Sequence, residues 1–165
     1  MKKVLIIGCP GSGKSTFAKA LHRKTALPLI HLDRLYWHAD GTALERGIFK
    51  ERLRDVLAQE SWIIDGNYGS TLSMRLAACD TVFFLDYPTA VCLAGVLTRK
   101  GQARSDLPWI ELSKDDDEEF LQLIRDYPQH QRPQVLDLLS QYPDKQQRIF
   151  NSRQAASEYL ETLSS

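Results

Sequence analysis

The chain has no surplus of either charge: Lys plus Arg number 21, Asp plus Glu number 21, and the formal net charge is zero. A protein whose main task is to hold nucleic acid usually carries a basic excess, so the balance argues against nucleic acid as a partner. No helix-turn-helix signal contradicts that. Long hydrophobic runs are absent too, and nothing approaches the length of a membrane span. Met1-Lys2-Lys3 precedes an apolar stretch, as in a secretory signal, but the stretch is too short. Cysteine is scarce: Cys9, Cys79 and Cys92 are odd in number and lack metal-ligand spacing, which suggests neither a zinc site nor a disulfide framework. Repeats and low-complexity tracts are also missing. What is left is 165 residues, 43% apolar and 25% charged, enough for a proper core without staples. The expectation is one cytoplasmic domain over residues 1–165, with the oligomeric state open.

The most informative stretch runs from Val4 to Phe17. Four apolar residues, Val4 to Ile7, lead into Gly8, and Gly11, Gly13, Lys14 and Ser15 complete G-x-x-x-x-G-K-S. This is the phosphate-binding loop in its required context, a strand before and a helical pattern after. Glycines let the backbone curl so that several N–H groups face one anion. The following helix adds its positive end. Gly8, Gly11, Ser12, Gly13, Lys14, Ser15 and Thr16 are the candidate nucleotide-binding residues. Lys14 is placed to reach the β and γ phosphates, and the Ser15 hydroxyl to ligate Mg²⁺. A nucleoside triphosphate is therefore expected. Cys9 lies inside the loop; it reads as a small filler rather than an oxidation-sensitive thiol, since only Lys14 nearby in sequence would lower its pKa.

Further along, strands and helices alternate. A helix is predicted over Lys14 to about Lys24. A second strand covers Pro28 to Leu32 and ends at Asp33, and helical spacing recurs at Phe49, Leu53, Val56 and Leu57. Trp62-Ile63-Ile64 is a third strand ending at Asp65-Gly66, followed by a short helix with Leu72 and Leu76 on one face. Thr81 to Leu85 is the fourth strand, and a helix follows from about Pro88 to Arg99. After a polar interval from Gly101 to Asp117 come two helical patterns, Phe120 to Tyr127 and Val135 to Tyr142. A last strand, Gln147 to Phe150, precedes a final helix that Ser152 is suited to cap. Such alternation implies a parallel sheet covered on both faces, with ligands at the carboxyl ends of the strands.

Gly8, Asp33, Asp65 and Asp86 all fall at such ends. Each aspartate has an ordinary reading as a helix cap or tight turn. Asp86, closing a run of four apolar residues, fits the carboxylate that holds Mg²⁺ directly or through water. Asp33 is the best candidate to orient or deprotonate an acceptor hydroxyl. Asp65 ranks below both. His22, His31, His38 and His130 show no ligand spacing and read as surface or packed residues. The acidic run from Asp115 to Glu119 suits a solvated helix start.

The phosphate loop, H-L-D at 31–33, W-I-I-D-G-N-Y at 62–68 and T-V-F-F-L-D-Y-P at 81–88 resemble the adenylate-kinase-like P-loop kinases. Within them, W-I-I-D-G-N-Y and R-P-Q-V-L-D-L-L at 132–139 are similar to the bacterial DNA topology modulation proteins. The resemblance covers nearly the whole chain. It implies a three-layer α/β/α fold with a five-stranded parallel sheet in order 2-3-1-4-5. It also implies an acceptor segment over about residues 34–60 and a short arginine-bearing lid over about residues 100–132. Arg99 and Arg104 would lie on the lid's first side and Arg132 on its return. Asn151 to Arg153, with Asn151 and Arg153 in contact, would pack against adenine. One departure stands out: nucleoside monophosphate kinases carry an arginine soon after their D-G, whereas here the nearest is Arg75. H-L-D is closer to shikimate kinases, where that aspartate contacts the acceptor hydroxyl. The expected activity is ATP- and Mg²⁺-dependent transfer to a nucleoside monophosphate or another small hydroxylated acceptor. A nucleotide-switched regulator, DNA-linked as the family label hints, and a plain NTPase are the competing expectations; lid arginines favour the kinase.

Overall fold

The fold was derived from a computed structural model, which describes residues 1–36, 45–67, 69–99 and 117–163. The β-rich apolar stretches become five parallel strands: β1 Lys3–Gly8, β2 Leu29–His31, β3 Trp62–Asp65, β4 Thr81–Leu85 and β5 Gln146–Phe150. Their order is β2-β3-β1-β4-β5. Ile6 pairs with Asp65 on one side and Phe83 on the other, so β1 is central and its phosphate loop emerges between β3 and β4. Val4 to Ile7, Ile63, Ile64 and Val82 to Leu85 are all buried, which is why these strands read as continuous apolar runs rather than alternating ones.

The helices are α1 Lys14–Thr25, α2 Leu32–Tyr36, α3 Arg46–Leu57, α4 Leu72–Ala78, α5 Thr89–Arg99, α6 Asp117–Ser140 and α7 Arg153–Glu161. Right-handed crossovers put α1, which connects β1 leftward to β2, on one face. The rightward connections through α3, α4, α5 and α6 lie on the other. After β5 the chain returns to the first face, where α7 packs on α1. That face is locked by an aromatic cluster. Phe17 of α1 and Tyr159 of α7 each sit 5.3 Å from the Phe83 ring, and Phe150 stacks on Phe83 at 6.0 Å. Ser152 caps α7, its Oγ accepting the Ala155 N–H at 3.1 Å.

Two expectations change. The second strand stops at His31, and Leu32 already begins α2, because the fully buried Leu32 is drawn into the core as a helix start. The two helical patterns after the polar interval are one 24-residue helix, α6, that contains Pro128 and Pro133. Both prolines are exposed, so the missing N–H and any kink fall on the solvent side, where they cost least. No helix among the described residues is long and apolar enough to cross a membrane.

Candidate active site

β1 stops at Gly8, and the chain turns through Cys9 to Gly13 before α1 begins. The Ser12 N–H closes the turn on the Cys9 carbonyl at 3.0 Å. Gly13 is left-handed, with φ 95°, and no side chain caps α1 behind it. The positive end of α1 therefore faces the loop without a competing side-chain acceptor, the arrangement that suits an anion. Gly11 has φ 85°, and a Cβ there would lie 2.0 Å from the Cys92 carbonyl oxygen. The loop thus rests directly on the backbone of α5, which only glycine permits. Lys14 Nζ donates to the carbonyls of Gly8 at 3.0 Å and Cys9 at 3.3 Å, folding its ammonium over the loop.

Ser12 Oγ and Ser15 Oγ are buried and have no hydrogen-bond partner among the described residues. Buried hydroxyls are normally satisfied. An orphan oxygen at Ser15 fits a hard cation such as Mg²⁺, which takes oxygen donors. Thr16 follows it, exposed.

On the β3 side, Asp65 lies in register with His31 of β2. His31 Nδ1 donates to Asp65 Oδ2 at 2.7 Å, with side chains only 9% and 7% exposed. Two residues on, Asn67 Oδ1 accepts the Gly8 N–H at 3.2 Å and ties this strand end to the phosphate loop. Arg75 of α4 is fully buried. Its Nε reaches Thr71 Oγ1 at 3.1 Å, its Nη1 the Gly66 carbonyl at 3.1 Å, and its Nη2 the Asn67 carbonyl. This arginine shapes the turn.

On the β4 side, the Asp86 N–H bonds the Phe150 carbonyl at 2.8 Å, joining the ends of β4 and β5. Its carboxylate is clasped by Arg132 of α6, through Nε at 2.9 and 3.0 Å and Nη2 at 2.9 Å. The Asp86 hydrogen bond and charge in turn push the Arg132 pKa up. A cavity of about 340 Å³ opens here, lined by Cys9, Asp86, Tyr87, Tyr127, Arg132 and Asn151 among others. The Tyr127 hydroxyl is buried without a partner among the described residues, and burial pushes its pKa up. Arg153 donates to the Gly11 carbonyl at 3.2 Å and lies over the Tyr87 ring, 5.8 Å from its centre.

The sequence-predicted residues Gly8, Gly11, Ser12, Gly13, Lys14, Ser15, Asp86, Arg132, Asn151 and Arg153 thus meet at one carboxyl edge of the sheet. Asp33 is the second residue of α2 rather than the end of a strand. Its side chain, that of Arg99 and all of Arg104 lie outside the described residues. Arg132 is carried by a continuous helix, and residues 117–132 of the expected lid are the first part of α6. His31, read as a surface or packed residue, and Asp65, ranked last of the three aspartates, form a buried pair. The signal for it is a His and an Asp that close neighbouring parallel strands, visible only once the strand order is known.

No protein-family model and no curated protein matches the chain. Solved structures do. A shikimate kinase from Acinetobacter baumannii in complex with shikimate superposes with a TM-score of 0.63 at 15% identity, covering 98% of this chain and 90% of that one. The fold is that of the P-loop kinases. A shikimate kinase from Bacteroides thetaiotaomicron gives 0.56 at 21% identity, over 97% of this chain and 94% of its own. A sugar kinase from Janibacter sp. HTCC2649 gives 0.53 at 16% identity, over 98% and 91%. At these identities the likeness is one of fold, and this P-loop kinase fold sets its phosphate loop between β3 and β4, as described above.

Proposed function

We propose that the protein is an ATP- and Mg²⁺-dependent phosphotransferase that moves the γ-phosphoryl group to a small hydroxylated metabolite. The observation that carries this reading is the phosphate loop: an uncapped α1 start, Lys14 folded over the loop and an orphan Ser15 hydroxyl on one short segment. Lys14 would leave the Gly8 and Cys9 carbonyls for the β and γ phosphates of ATP, stabilising the charge that spreads over the transferring group. Ser15 and Asp86 would hold Mg²⁺, which, when bound, supplies neutralisation of the phosphate charge. Asp33 would align the acceptor hydroxyl and receive its proton late, since the loose transition state rewards positioning over early deprotonation. Arg99, Arg104 and Arg132 would close on the phosphates from the lid side, and Asn151 and Arg153 would flank the base. The acceptor segment over about residues 34–60 and a lid over about residues 100–132 belong to the same reading, as does a single domain in the cytoplasm.

The choice of acceptor follows from Arg75. A nucleoside monophosphate kinase needs a guanidinium free to grip the acceptor phosphate, but Arg75 is fully buried and donates to the Gly66 and Asn67 carbonyls. That favours an uncharged hydroxyl over a monophosphate. The narrower likeness to the DNA topology modulation proteins rests on the sequence motifs alone. The test is ADP formation from ATP across a panel of nucleoside monophosphates and hydroxylated metabolites, with Lys14→Ala as the control. An acceptor should stimulate turnover in the wild type, and Lys14→Ala should lose more than about tenfold in turnover. A panel in which no compound raises ADP release above background hydrolysis would sink the kinase reading and favour a nucleotide switch.

A further inference from the structure

Two glycines, Gly13 and Gly95, leave room for one guanidinium beside the phosphate loop. Arg153 Nη2 donates to the Gly11 carbonyl at 3.2 Å, and the group lies over the Tyr87 ring. A Cβ on Gly13 would stand 3.0 Å from its Nη1, and one on Gly95 would stand 3.2 Å from its Nη2. Gly95 lies inside α5, where glycine costs stability relative to alanine. Arg153 breaks a local rule as well. It is the first residue of α7, whose first turn holds no acidic residue, and a cation there opposes the helix dipole. Two locally unfavourable choices, one on α5 and one on α7, therefore meet at a single carbonyl of the loop. Local rules are broken in this way where function takes precedence.

We propose that Arg153 is a positioning residue for the phosphate loop, acting on bound phosphate through the Gly11–Ser12 peptide rather than through the base. A trans peptide is planar, so its C=O and N–H point in opposite directions. With the Gly11 carbonyl drawn out to Arg153, the Ser12 N–H of the same unit is turned the other way, onto the Cys9 carbonyl at 3.0 Å. That carbonyl also accepts Lys14 Nζ at 3.3 Å. One side chain from α7 thus sets a peptide plane, the turn that the plane closes, and the seat of the Lys14 ammonium.

The loop needs such a hold. Gly11 and Gly13 sit at φ 85° and 95°, and glycine turns between backbone regions at little steric cost. A peptide between two such residues is freer to rotate than any other in the loop, and a phosphate cradle depends on its N–H groups keeping a common focus. Arg153 as a whole is exposed, so what it adds is orientation rather than core packing. On the reading above it also flanks the base. A base contact and a loop contact differ in what they do to a ligand that has no base. The effect on phosphate rests on the function proposed above, whereas the hold on the loop does not.

The experiment compares ATP with inorganic tripolyphosphate, which carries no base, by calorimetry on the full chain with Mg²⁺ present. Arg153→Ala should weaken both ligands by the same factor, about tenfold, the worth of a hydrogen bond from a charged donor. Hydrogen exchange without any ligand should rise over residues 11–16 and stay at the wild-type level in β4 and β5. Arg148→Ala removes an arginine that lies over Tyr159 instead of the loop, and it should leave both affinities and the exchange unchanged. A loss confined to ATP would make Arg153 a base contact. Weaker binding of both ligands with unchanged loop exchange would make it a direct charge on the phosphates. Either result overturns the proposal, as does an Arg153→Ala chain that binds both ligands as wild type does. A wild-type chain that binds neither ligand would instead overturn the proposed function, and exchange over residues 11–16 would still decide on the hold.

Discussion

The strands on either side of β1 each deliver an aspartate to the phosphate loop, and the two are held in opposite ways. Asp65 closes β3 and is bonded to His31, its register partner on β2, so both members belong to the rigid sheet. Asp86 follows β4 and is clasped by Arg132, which arrives from α6 after 46 residues. The Arg132 side chain is 41% exposed, against 9% for His31. A buried pair is costly to break by removing one member, because the other is stranded. The Asp86 side chain is itself only 9% exposed, so this pair meets water through its arginine alone, and removing Asp86 strands a cation that water can reach. Both carboxylates are shielded, and what differs is the cation, which is buried in the sheet for Asp65 and reaches water for Asp86.

The sharpest way to break that contrast is to neutralise each aspartate in turn. Asp86→Asn should cut Mg²⁺-supported transfer by about a thousandfold, while moving the unfolding free energy by no more than about 1 kcal/mol. Single-turnover transfer beside urea unfolding reads both, and a stability loss that rivals the Asp65 variant would erase the distinction. Asp65→Ala should do the reverse, leaving His31 buried without its acceptor and costing about 2–4 kcal/mol of stability. The urea midpoint measures it, with ATP affinity expected to change little; an unaltered midpoint would show that the pair is not architectural.

Removing the cation instead of the carboxylate gives a smaller signal. Arg132→Ala frees Asp86, so calorimetric Mg²⁺ affinity without nucleotide should rise by at most about fivefold, the worth of an exposed pair near 1 kcal/mol. Weaker Mg²⁺ binding in that variant would mean that Arg132 holds the carboxylate in place rather than competing for it. The smallest effect belongs to Asp80, at the opposite edge of the sheet. Burial pushes its pKa up, but the Lys3 and Lys2 N–H groups, each at 2.9 Å, and the Thr81 hydroxyl at 2.7 Å outweigh burial and leave it below the ordinary 3.8. A lowered folded-state pKa adds stability above the unfolded value, and that stability is lost as pH falls through the folded one. Asp80→Asn should flatten the acid arm of a pH series of urea midpoints. It should cost under about 1 kcal/mol at neutral pH, because the group is exposed. An acid arm as steep as wild type would place the proton uptake elsewhere.

The parts of this site that were legible in advance are those written locally. Gly8 to Ser15 is a contiguous motif, and Asp86 follows an unbroken apolar strand, so neither needs knowledge of a distant neighbour. The sheet order came through a resemblance of motifs, and the five strands lie as it implied. His31 and Asp65 escaped because 34 residues separate them and only strand register joins them. Arg75 escaped for another reason. An arginine on a short helix suggests solvent, and its burial follows from turn carbonyls at Gly66 and Asn67 that need donors away from water. The single long α6 was hidden by Pro128 and Pro133, since a proline usually marks a helix boundary and exposure cannot be read from local pattern alone.

The Arg153 bond to the Gly11 carbonyl spans 142 residues of chain, and it sets a schedule for biosynthesis. A ribosome delivers β1, the phosphate motif and α1 well before the guanidinium that backs the loop, which follows Gly11 by 142 residues. Tyr159, whose ring joins Phe17, Phe83 and Phe150, comes later still. Contacts this far apart form slowly, because loop closure precedes any reward. A nascent chain therefore carries the whole G-x-x-x-x-G-K-S motif without the Arg153 support until 142 more residues have followed Gly11. On the function proposed above, nucleotide capture should therefore follow the docking of α7 rather than the folding of the motif itself.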